Sequence, residues 1–429
     1  MALRHLAALL TIATVAHAER AASTTLPAHT VQLGNGLTVV LAPDPTMSSV
    51  VVHIRYRDGS AGEGSTQAGF TNLVDHLMFA GSVHVKAGEY DARIDAAGGF
   101  TGSVSGADHL SVFEQVPAGA LELAMFLEAE RMAGLADGIT ETGLTAAREA
   151  VAAEIRAAYV DQPSALVERE VQRALWPEGH RYRLDVLGDG HVVPTAALDA
   201  VRAFARARIR PGNATLVIAG NLDVGATTTL ARRYFGWIPD HRDAAAAATP
   251  VEPLAAPVRV EIVDVIPKVI VAFRLPAPRD PDFVVAEVAA RLIESRLRVL
   301  VDDGRATAIQ ARVVRHRDAG ELHLSVTPGH ATPAQLADAT LRELSRVRDV
   351  LTHELEGAVT AFETDLLMAL EGLIYRTDAL ARWHEDASAD YLGGLPSRLR
   401  ALTPLVVRTL IARWLGPSAH VVVIASEHP

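Results

Sequence analysis

Apolar positions along this chain alternate in short runs, then recur every three or four residues, and the exchange of periods happens twice. Val31, Leu33, Leu37, Val39 and Leu41 flank Asn35-Gly36, which predicts a β-hairpin. The segment 48–60, built on Val50-Val51-Val52, predicts a third strand. From Thr66 to Phe79 the stripe Phe70, Leu73, Val74 and Leu77 has helical spacing. A short helix over 87–99 should stop at Gly98-Gly99. A strand is expected over 105–117, with helices over 118–135, 141–159 and 198–208. A strand at 211–223 and the segment 225–239 close the first half.

Residues 239–257 combine proline with an alanine run and predict a linker. The same order then starts again. Strands are expected over 258–276, a helix over 280–303, and a hairpin over 307–329 turning near Asp318-Ala319-Gly320. Helices follow over 333–351 and through 354–415, and 419–426 is a final V/I-rich strand. The pattern predicts an α+β fold of two homologous domains, 29–238 and 258–427. Each would be a mainly antiparallel sheet with helices packed on one face.

Composition narrows this picture. A chain of 429 residues exceeds one ordinary core and suits two domains. With no cysteine, disulfides, thiolate metal sites and thiol nucleophiles are excluded, so any metal must use His, Asp, Glu or weaker ligands. The net charge of −11 argues against a nucleic-acid binder and, weakly, for basic over acidic peptides. Residues 1–18 pair Arg4 with a short apolar run and Ala16-His17-Ala18, which predicts a signal peptide cut after Ala18 and a periplasmic or secreted protein. No later stretch has the length and apolarity of a membrane span.

Candidate chemistry centres on the 66–79 helix. Asn72, Asp75 and His76 stand at i, i+3 and i+4, one helix face, opposite Leu73 and Leu77. Two ligands one turn apart can hold one ion, whereas the bland reading is a polar face in a cleft. Other groupings are weaker. Asp108-His109 near Ser103 and Ser105 lacks a G-x-S-x-G elbow, and neighbours on a strand point to opposite faces. His316 and His323 flank the second hairpin turn without an evident third ligand; His180 reads as structural, and His330 and His384 as isolated. Glu128, Glu130 and Arg131 read as an ion network on a helix face. No Gly-rich phosphate loop occurs.

"GFTNLVDHLMFAGS", residues 69–82, resembles the inverted H-x-x-E-H segment of the pitrilysin/insulinase zinc peptidases. "VQLGNGLTVVLAPDP", "GEYDARIDAAGGFTGSVSGADHLSVFEQVP", "LELAMFLEAERM", "REAVAAEIRAAYVDQP", "PGNATLVIAGNLD" and "ESRL" resemble further family landmarks in the expected order. The resemblance places Asn72 at the first histidine ligand, Asp75 at the catalytic glutamate, His76 at the second histidine and Glu154 at the glutamate ligand. Glu149 is a nearby carboxylate without an assigned role. The family's substrate strand would include Gly102 and Ser103. Its Arg/Tyr element would fall on Asp302 and Ile309, with Arg305 a few residues away; neither Asp302 nor Ile309 matches. Catalytic zinc wants three protein ligands, and an aspartate is one methylene short as the base. The resemblance therefore implies an exported homologue without peptidase activity, with no resident cofactor. It would bind peptides or unfolded segments, or serve as partner subunit in a homo- or heterodimer with an intact family member. Two alternatives remain: an active zinc metallopeptidase using Asn72, His76 and Glu154 with Asp75 as base, and a purely structural assembly subunit.

Overall fold

The computed structural model of the protein describes residues 26–161, 164–240, 251–347, 349–386 and 391–427. The expected signal peptide and residues 241–250 of the expected linker lie outside the described residues.

Eleven strands build two sheets. In the first, β1 (His29–Gln32), β2 (Thr38–Pro43), β3 (Ser49–Tyr56), β4 (Phe100–Ser105), β5 (Leu110–Pro117) and β6 (Ala214–Gly220) take the order β1-β2-β6-β3-β5-β4. In the second, β7 (Val258–Val263), β8 (Lys268–Leu275), β9 (Ala306–Arg315), β10 (Gly320–Pro328) and β11 (His420–Ser426) take the order β7-β11-β8-β10-β9. The second is the first without its outer strand β1. Even pairing directions repeat: β2 and β7 run parallel to β6 and β11, and every other shared pair is antiparallel. The duplication read from element order is thus present in the strand ladders.

The alternation of each central strand explains how the layers stack. On β3, Val50, Val52, Ile54 and Tyr56 enter the core under the first half's own helices. Val51 points the other way, against Leu373, Leu380 and Trp383. On β8, Val269, Val271 and Phe273 enter the second half's core, while Ile270 and Ala272 meet Val167, Val171 and Trp176. Each sheet therefore carries its own helices on one face, as the pattern predicts. The opposite face takes a helix from the other half: Leu373–Asp386 on the first sheet, Ser164–Leu175 on the second.

Some expectations shift. The strand expected over 105–117 begins at Leu110, because Gly106 N donates to His109 O (2.8 Å) and closes a turn; Phe100–Ser105 is a separate strand before it. Asp108 and His109 are turn residues, not opposed strand residues, and both line one cavity. The Glu128–Arg131 ion pair read from the sequence is present, and it is enclosed: both residues are 0% exposed, packed with Glu114 behind Phe79 and Tyr90. The helix Ser164–Leu175 goes unread in the sequence pattern above.

Candidate functional site

The helix bearing the motif runs from Phe70 to Leu77. Its start is fixed by Gly69, at φ +101°, where an added Cβ would lie 2.6 Å from Val193 Cγ2. Glu63 caps it from a distance, accepting from Gly69 N (2.8 Å) and Thr71 N (2.6 Å). A carboxylate there pairs with free N–H groups and opposes the positive end of the helix dipole. Phe70, Leu73, Val74 and Leu77 anchor the helix in the first core, so Asn72, Asp75 and His76 face outward across it.

The helix Glu141–Arg156 crosses the site helix and delivers Glu154; a π-helical turn, Ala157–Asp161, continues it. Such turns often re-aim a helix at functional sites. Asn72, Asp75, Ser103, Ser105, Glu154, Ala157 and Leu187 share one open cavity of about 530 Å3. His76 joins it through Glu154: His76 Nε2 lies 3.0 Å from Glu154 Oε1. Asn72, only 5% exposed, donates through Nδ2 to Glu154 Oε2 (3.1 Å) and Leu187 O (3.4 Å). Both partners are acceptors, so they fix which end of the amide faces the cavity.

Asp75 lies toward Ser103 and Ser105. Burial pushes its carboxyl above the ordinary value, while the two serine hydroxyls and His76 pull it back. Neither serine meets Asp75 Oδ1 with hydrogen-bond geometry, and that atom is buried without a partner. Glu149 is exposed and away from the cavity.

Gly102 sits on β4 opposite Phe113, and a Cβ there would come within 2.7 Å of the Phe113 ring, so its bare backbone makes room for that side chain. Ser103, one residue on, lines the cavity. Asp302 is exposed at the end of a short helix, and Ile309 on β9 packs against the second core. Neither belongs to the cavity. Arg305 is held by Asp303, with Nε to Oδ2 at 2.8 Å, and also lies outside it.

This donor set does not fit a three-ligand zinc site. Asn72 presents hydrogens, not a lone pair, leaving His76 and Glu154 as ordinary ligands, already bonded to each other. Among the described residues no group of three or more His, Cys, Asp or Glu is arranged to hold a metal ion.

Comparison with known proteins places the whole arrangement. The family model "Insulinase (Peptidase family M16)" matches residues 38–184, and "Peptidase M16 inactive domain" matches 195–361. The chain belongs to the pitrilysin/insulinase family. Among family relatives it is 24% identical to "Zinc protease PqqE" of Helicobacter pylori, over 67% of this chain and 64% of that protein. An uncharacterized zinc protease of Mycobacterium leprae is 28% identical over 48% of this chain and 45% of its own length. The matched segments therefore span less than two thirds of these curated relatives. In three dimensions the chain is similar to a protease from Helicobacter pylori, with TM-score 0.83 and 19% identity, covering 93% of this chain and 99% of that one. It is also similar to a peptidase M16 inactive domain from Pseudomonas fluorescens, with TM-score 0.81 and 17% identity, covering 93% and 98% of the two chains. These likenesses establish the two-domain family fold. No helix among the described residues is long and apolar enough to cross a membrane.

Two features of the site lay outside the motif reading. Among the described residues β4 is the last strand of its sheet, which no local residue signals, and the Glu63 cap lies six residues before the glycine it holds.

Proposed function

We propose that this chain is an exported pitrilysin/insulinase homologue that binds extended peptides without cleaving them and pairs with a family member carrying a complete zinc motif. The observation that carries the reading is the Asn72–Glu154 hydrogen bond. It occupies one Glu154 oxygen with an amide donor while His76 occupies the other. A metal would have to displace both contacts and would gain two good ligands, one short of the three that hold catalytic zinc.

Peptide binding rests on β4. It is the last strand of its sheet, and its outer edge is unpaired among the described residues. A peptide can extend a sheet at such an edge through main-chain hydrogen bonds. Phe100 (47% exposed) and Val104 (52% exposed) stand at alternate positions along it, offering apolar contact to side chains of an added strand. Ser103 and Ser105 face the cavity beneath. Export rests on the residues 1–18 pattern.

Zinc per chain, measured by elemental analysis after dialysis against trace metal, tests the reading. Well under one zinc is expected, with no change on His76→Ala. One zinc per chain that is lost on His76→Ala or Glu154→Gln would overturn it.

A further inference from the structure

A second cavity, of about 330 Å3, lies where the β4–β5 turn of the first half meets the β9–β10 hairpin of the second. Six guanidinium groups line it: Arg55, Arg57, Arg312, Arg315, Arg317 and Arg382. Asp108 and Glu385 line it as well, and four of the six guanidiniums are paired with carboxylates: Arg55 with Asp378 (3.1 Å), Arg382 with Asp378 (3.1 Å), Arg315 with Glu287 (3.0 Å) and Arg317 with Asp318 (3.5 Å). Asp108 is already engaged on both oxygens, by Arg181 (3.2 Å) and Tyr182 (3.3 Å) on Oδ1 and by the Arg317 amide (2.7 Å) on Oδ2. Glu385 takes Arg55 Nε at 2.9 Å. Arg57 has no carboxylate partner among the described residues; its guanidinium donates to Gly212 O (2.6 Å). Arg312 is half exposed and touches Glu168 at 3.3 Å. His109, also on the wall, adds no charge, since burial and the neighbouring Arg55 push its pKa down to about 3.

We propose that this cavity binds a carboxylate carried by an acidic residue of the peptide lying along β4. The proposal rests on the peptide-binding reading above and adds a preference to it. The two cavities are lined by chain neighbours. Ser105 lines the first and Gly106-Ala107 the second; Leu187 lines the first and Val186 the second. A strand laid along β4 past Ser105 would approach the 106–109 turn that lines the second. Guanidinium forks match carboxylate geometry, and the volume suits a small ligand group. The donors the proposal uses are Arg57 and the half-exposed Arg312, so the preference is local and sets aside the weak inference from the net charge of −11.

The test uses the mature chain and a pair of otherwise identical ten-residue peptides, one with a central Glu and one with Gln, titrated by calorimetry. The acidic peptide is expected to bind roughly tenfold tighter, a difference of about 1.4 kcal/mol. Arg57→Gln and Arg312→Gln should each shrink that ratio while leaving the Gln peptide unaffected. Equal affinities, or a preference that survives both substitutions, would overturn the proposal. If neither peptide binds, the peptide reading fails by itself. The anion site is then judged with succinate and inorganic phosphate by thermal shift. Protection of the parent but not of Arg57→Gln keeps an oxyanion site for free anions and overturns its assignment to a peptide residue; no protection overturns both.

Discussion

Glu321→Gln should uncouple the two halves. Glu321 is fully buried on β10 and is the acceptor for four donors. Oε1 takes Trp176 Nε1 (2.7 Å) and His316 Nε2 (2.8 Å); Oε2 takes His323 Nε2 (2.7 Å) and Gln172 Nε2 (2.9 Å). Trp176 and Gln172 belong to the first half, so the carboxylate ties the exchanged helix to the second sheet. An amide of the same shape keeps one accepting oxygen and turns an NH2 group toward the other two donors. Two charge-assisted bonds at about 1.5–3 kcal/mol each set the loss at roughly 3–6 kcal/mol, which overlaps the cost of breaking a buried ion pair. Urea unfolding followed by circular dichroism measures it. The pH dependence supplies a second, independent reading. Burial alone would lower the His323 pKa, but Glu168 and Glu321 hold it above 6.5. A raised folded pKa contributes stability that is fully present below pH 6.5 and is lost as pH rises through the folded value. Glu321→Gln should therefore change the slope of stability against pH, its cost being larger at mildly acidic than at mildly alkaline pH. A loss under about 1 kcal/mol, an ordinary single-mutation effect, with the slope unchanged would refute the reasoning.

Three further outcomes follow from the site. Asn72→His supplies a lone pair where the amide now donates, so the variant should take up close to one zinc per chain, and a hundredfold excess over Kd should add about 2.7 kcal/mol of stability; elemental analysis and thermal shift check both. Asp75→Asn should stabilise the chain at pH 7, because it removes a charge that burial makes costly there. Because burial raises the Asp75 pKa, that gain should vanish below about pH 4, where the parent carboxyl is protonated in both states; urea unfolding at the two pH values decides it. Gly69→Ala forces a side chain into a left-handed backbone against Val193 and should cost about 1–3 kcal/mol, with zinc content of the Asn72→His background lost in parallel.

The sequence made the strands of both sheets largely legible because their faces differ in chemistry. Val50, Val52 and Ile54 alternate against residues that meet a different core, and such alternation is local. The site helix was legible for the same reason: Leu73 and Leu77 identify its inner face, and the outer face is then fixed at Asn72, Asp75 and His76. What was not legible depended on contacts between distant residues. Val167, Val171 and Leu175 have clear helical spacing, but nothing local says that their partners are Ile270 and Val423 on the opposite sheet. The Glu128–Arg131 ion pair was legible from its i, i+3 spacing, but its enclosure was not, because Glu114 is brought in by β5. The Arg cavity was invisible for that reason too, since Arg57 and Arg312 are 255 positions apart in the chain.

The reciprocal exchange of helices bears on how this chain could open. If residues 239–257 joined two independent bodies, each sheet would have both faces covered from its own half. Instead, the face of the first sheet formed by Val40, Val51 and Val217 is covered by Leu373–Asp386, and Arg55 there binds Asp378 (3.1 Å) and Glu385 (2.9 Å) of that helix. The corresponding face of the second sheet is covered by Ser164–Leu175, with Glu321 as its polar tie. Pulling the halves apart would bare both apolar faces at once and leave buried ions unpaired, each at a cost of several kcal/mol. The halves therefore move as one body. Access to the cavity beneath β4 then has to be controlled by something other than a hinge at the linker; β4 is the last strand of its sheet among the described residues, and that edge is where the partner proposed above would have to act.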